Sequence, residues 1–70
     1  MITKEQYLEL EEAQFIDRNE FHQLLEEYTG IKAQQYIGFS YYNSAGNYIG
    51  DYGDVNLDDL LRDNGTEVER

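Results

Sequence analysis

Carboxylates are the one chemically potent group this chain holds in quantity. Its 70 residues carry 15 Asp and Glu against 5 Lys and Arg, a formal charge of −10 with the single histidine neutral. Carboxylates can exchange protons with a substrate, ligate a hard cation, or act together as a field. Proton exchange needs two that converge, and no spacing here picks out such a pair. His22 is the sole imidazole and precedes Glu26 by one helical turn, the position of a surface or boundary residue. Ser40 and Ser44 have no cue that pairs them with His22. With no cysteine, the chain has no thiolate nucleophile, disulfide or thiolate metal site. A domain this short also has little room for a ligand pocket of about 300 Å³ or more. The expectation is a protein that is not an enzyme and uses no cofactor.

Cation ligation has one candidate. Asp54-Val55-Asn56-Leu57-Asp58 resembles the opening of an EF-hand or dockerin calcium loop, where oxygen ligands alternate. Such loops turn at a glycine in the sixth position and close with an acidic ligand at the twelfth. Here those places hold Asp59 and Gly65. Helix capping explains the same residues, and no metal is expected.

The field remains. Roughly 2–8 units of charge suit the solubility of a small domain, and this chain exceeds that. Glu5, Glu9 and Glu12 recur at helical spacing, so they form a ladder on one helix face. Glu20 and Glu27 flank the next helix, and Asp51, Asp54, Asp58, Asp59 and Asp63 gather toward the chain's end. Such a surface repels nucleic acid and anionic lipid and attracts basic proteins. Duplex DNA presents one phosphate charge per about 1.7 Å of axis, and rows of carboxylates offer a DNA-binding protein a comparable field. The sharp reading is a DNA mimic; the bland one is ordinary solvation of outward faces.

The elements that must place these groups are legible from caps and periodicity. Thr3 and Gln6 fit a capping box, with Ile2 and Tyr7 as a hydrophobic staple, which predicts a helix over 4–14. Glu5, Glu9 and Glu12 should face out, and Tyr7, Leu8, Leu10 and Phe15 the other way. Asp17 and Glu20, with Ile16 and Phe21 around them, start a second helix over 18–29. Phe21, Leu24, Leu25 and Tyr28 form its apolar stripe, and Gly30 its left-handed stop. Residues 34–42 read as one strand, 43–47 as a turn with Gly46 at positive φ, and 48–52 as the returning strand. With Asn43 facing Asn47, Tyr42 lies opposite Tyr48 and Tyr41 opposite Ile49. Alternation then puts Ile37, Phe39, Tyr41 and Ile49 on a core face. Tyr36, Tyr42, Tyr48 and Tyr52 share the other face with Gly38, Ser40 and Gly50. Asn56 caps a last helix beginning at Leu57, with Asp58 and Asp59 in its first turn and Leu57, Leu60 and Leu61 on its apolar side. Asn64-Gly65 ends it.

The expected architecture is a small single α+β domain in the order ααββα, covering residues 1–65, with a disordered tail over 66–70. No transmembrane span or signal region is seen, and a cytoplasmic location is expected. In size, charge and lack of catalytic residues the chain resembles, in kind, the small acidic inhibitors of phages and mobile elements, anti-restriction and anti-CRISPR proteins among them. That likeness implies a non-catalytic inhibitor of a basic, nucleic-acid-handling protein, with no direct binding of nucleic acid or membrane. Glu5, Glu9, Glu12, Asp51, Asp54, Asp58 and Asp59 would supply the field, and Tyr36, Tyr42, Tyr48 and Tyr52 the contact area. The alternative is a homodimeric structural or regulatory protein joined through its tyrosine face.

Overall fold

Thr3 opens the first helix through the expected reciprocal pair: its hydroxyl accepts from the Gln6 amide at 3.1 Å, and the Gln6 side chain accepts from the Thr3 amide at 2.9 Å. In the computed structural model, which describes residues 1–35 and 38–69, helix α1 runs over Lys4–Ile16 and α2 over Arg18–Thr29. Asp17 alone joins them. Its backbone N–H closes α1 on Ala13, and its carboxylate accepts from the Glu20 amide at 3.2 Å to start α2. Glu9 meets Tyr28, and Ile16 lies by Glu20, so the two helices run antiparallel as a hairpin. Gly30, at φ 79°, ends α2 in the left-handed region that a glycine enters without strain.

Three strands follow: β1 (Lys32–Gln35), β2 (Phe39–Tyr42) and β3 (Tyr48–Asp51), with helix α3 (Leu57–Asp63) after them. They form one antiparallel sheet in the order β1-β2-β3, and the domain is α+β. The stretch expected as one strand over 34–42 is thus two, β1 and β2, paired from Lys32 opposite Tyr42 to Gln35 opposite Phe39. Gly38 sits exposed in the bend just before β2. Tyr36 and Ile37 lie outside the described residues, so their expected faces do too.

The 43–47 turn forms as read: Asn43 exchanges backbone bonds with Asn47 and Gly46, whose φ is 87°. Tyr42 faces Tyr48, but Tyr41 pairs with Gly50 rather than Ile49. Ile49 is the extra residue of a bulge, and every residue after it changes face. Gly50, the residue after the bulge, is closely covered: an added Cβ there would stand 2.7 Å from a Val55 methyl.

Ile2, Leu10, Ala13, Phe21, Leu25, Ile31, Tyr41 and the three leucines of α3 form the buried core. Residues 66–69, expected to fray, are instead tied to the start of the chain. The Ile2 N–H donates to Glu67 at 2.9 Å, the Glu69 N–H donates to Ile2 at 2.7 Å, and Val68 packs on the core. No described helix is long and apolar enough to cross a membrane.

Candidate partner-binding face

Residues 1–30 hold eight acidic and two basic side chains, so the helical hairpin carries a net −6 of the chain's −10. On α1, Glu9 and Glu12 fall on the side turned toward α2. They line a hollow of about 290 Å³ between the helices, with Glu20 across from them and Ala13, Ile16 and Leu24 supplying its apolar surface. Glu5 lies one turn before Glu9 on the same stripe. The Tyr28 hydroxyl donates to a Glu9 carboxylate oxygen at 2.7 Å. That bond, then partial burial and the charges of Glu9, Glu27 and Glu20, hold the phenol pKa above its ordinary value. The carboxylates of Glu9, Glu12 and Glu20 therefore meet along one side of the hairpin.

No cation among the described residues forms an ion pair with them. Among the described residues both ion pairs belong to Arg62, with Asp59 at 3.1 Å and Asp63 at 3.5 Å. The Arg18 guanidinium instead sits over the rings of Phe39 and Tyr52, 5.2 and 5.6 Å from their centroids. The glutamates of the hairpin thus form no ion pair among the described residues.

The aspartates expected as a cluster toward the chain's end, and as partner contacts with these glutamates, are dispersed and mostly engaged. Asp58 accepts from the Tyr7 hydroxyl at 2.8 Å, which helps push that phenol up to about 12. Asp51 accepts from Ser40 at 2.8 Å on the outer face of the sheet, and Asp59 is held by Arg62. Asp54 lies with Asp59, Phe15 and Tyr52 around a separate hollow of about 430 Å³. Asn56 is a helix cap, its side-chain oxygen accepting from the Asp59 amide at 2.9 Å. Among the described residues no group of three or more His, Asp or Glu could hold a metal ion.

The tyrosine set is divided as well. Tyr42 and Tyr48 do share the outer face, their rings 5.7 Å apart in an edge-to-face pair. The bulge turns Tyr52 inward, where its hydroxyl donates to the Gln14 carbonyl at 3.1 Å and its ring meets Phe21 and His22. Tyr36 lies outside the described residues.

Three features escaped the sequence reading. Leu8, Phe15 and Ile16, expected to point inward or to staple a helix, are 50%, 81% and 76% exposed. The signal was available: at 3.6 residues per turn, Leu8 lies about 200° around the helix from the fully buried Leu10. Glu20, expected on the flank of the second helix, joins Glu9 and Glu12 on the rim of the acidic hollow, because the single-residue connection folds α2 back on α1. His22 is at the half-buried boundary, as expected, but its contacts were not foreseen: its ring lies 4.1 Å from that of Phe39 between centroids, and its Nδ1 is 3.2 Å from the Tyr41 hydroxyl. Comparison with family models, curated proteins and solved structures finds no match to this chain.

Proposed function

We propose that this protein is a non-catalytic binder of a basic, nucleic-acid-handling protein, and that it inhibits that partner by occupying the surface meant for nucleic acid. The observation that carries the reading is the hollow between α1 and α2, rimmed by Glu9, Glu12 and Glu20, none of which is ion-paired among the described residues. A basic groove that releases counterions on meeting phosphates gains in the same way from meeting this rim. The net charge of −10 steers encounter and disfavours nucleic acid itself. This is the mode of action implied by the likeness in kind to acidic anti-restriction and anti-CRISPR inhibitors. The competing homodimer would have to use the outer sheet face without Tyr52, which leaves it Tyr42 and Tyr48 as its described rings.

The test is capture of partners from a bacterial lysate on the immobilised protein, with and without added duplex DNA. A nucleic-acid-binding protein should be retained at low salt, released at high salt and displaced by the DNA. The E12K/E20K variant should fail to retain it; that variant leaves the Tyr28–Glu9 bond in place. Retention that ignores salt, DNA and the two substitutions contradicts the proposal.

A further inference from the structure

We infer that the segment of the partner seated on this face is a basic amphipathic helix, held by exposed apolar side chains of α1 as well as by carboxylates; the inference rests on the proposed binding of a basic protein. A mimic of phosphate alone needs no grease, yet Leu8, Phe15 and Ile16 are at least half exposed on one helix. Leu8 and Phe15 are seven residues apart, two turns or about 10 Å along the same stripe. Ile16 stands beside them in the hollow whose floor is Ala13 and Leu24 and whose rim is Glu9, Glu12 and Glu20. On its other side Phe15 borders the hollow that holds Asp54 and Asp59. At its Phe15–Ile16 end the apolar ridge therefore stands between two carboxylate-bearing hollows, Ile16 lining one and Phe15 the other.

That alternation selects its occupant. A helix with apolar residues at i, i+3 or i+4 and i+7 matches the ridge. Lysine and arginine stems lie along apolar surface while their heads reach outward to the rims. A second copy of this chain fits poorly, since each copy brings −10 to the contact. An anionic membrane is repelled for the same reason. The chain's own residues 66–69 are bonded at Ile2 and so are committed elsewhere.

Two synthetic helical peptides with the same number of lysines test this, one with leucines at the spaced positions and one with serines there. Calorimetry against the wild-type protein should find the leucine peptide tighter by about tenfold or more, the scale of burying one such side chain. F15S/I16S should abolish most of that advantage and leave the serine peptide's affinity unchanged, whereas E12K/E20K should weaken both peptides. Both positions of F15S/I16S are exposed, and circular dichroism checks that the variant stays folded. Equal affinity for the two peptides, or a leucine advantage that survives F15S/I16S, overturns the amphipathic contact while the acidic reading stands. Failure of both peptides to bind, or indifference to E12K/E20K, overturns the underlying reading too. Concentration-dependent dimerisation of the wild type that F15S/I16S removes would assign the ridge to a second copy and also overturn the inference.

Discussion

Gly50 follows the bulge that turns Tyr52 inward, and it pairs with Tyr41. It is buried, and the space a side chain would take is filled by Val55. A Cβ there would sit 2.7 Å from a valine methyl, so Gly50→Ala should destabilise the fold by about 1–3 kcal/mol, the scale of overpacking. Val55→Ala in the same chain should return part of that loss, a coupling that urea titration of both single variants and the pair would read. The sequence made the Tyr42–Tyr48 pair legible through the Asn43–Asn47 turn. It gave no warning of the bulge, nor of the close approach of Gly50 to Val55, which lies beyond the strand. His22 carries a second residue-scale consequence. Its Nε2 is buried with no hydrogen-bond partner among the described residues. Burial first, and the Arg18 charge second, lower its pKa from 6.5. The unfolded chain therefore binds the proton before the folded one does. The stability His22 contributes is complete above 6.5 and is lost as pH falls from there toward the folded value. Between about pH 7.5 and 5.5, the wild type should lose more stability than His22→Gln does; an identical loss in both would remove the histidine from the account.

At the scale of elements, caps were the most legible signal, because each is written in residues three apart. Thr3–Gln6, Asp17–Glu20 and Asn56–Asp59 all form as their types require. What lay between the caps was less readable. The run over 34–42 is rich in strand formers and lacks proline or an Asn-Gly pair, so periodicity alone offered no reason to divide it into β1 and β2. The inward side of α1 was misjudged for a different reason. Leu10 and Ala13 are its buried residues, Tyr7 packs beside them on the core, and its remaining apolar residues are spread around the helix. Residues 66–69 were also hidden from a local reading, since their partner, Ile2, is at the opposite end of the sequence. Ile2 is only 2% exposed, and the returning segment supplies two backbone bonds to it. Deleting residues 66–70 should lower stability by about 1–3 kcal/mol, from lost bonds and lost cover of apolar surface. An unchanged thermal midpoint would show that the closure contributes nothing.

For the whole molecule, the distribution of charge matters more than its sum. The −10 was plain from composition, and the excess on the helical hairpin was legible in the spacing of Glu5, Glu9 and Glu12. That Glu20 faces them, and that Asp51, Asp54, Asp58 and Asp59 are parted among other surfaces and partners, depends on tertiary packing and could not be counted along the chain. The account therefore assigns partner contact to one side of one hairpin. Backbone amide shifts of the isotope-labelled protein, followed through a titration with a lysine-rich peptide at low salt, test that most directly. The account predicts changes concentrated in Glu5–Ile16 and Glu20–Tyr28, fading as salt is added. Changes spread evenly over the molecule, or centred on Tyr42, Tyr48 and Asp51, would contradict it.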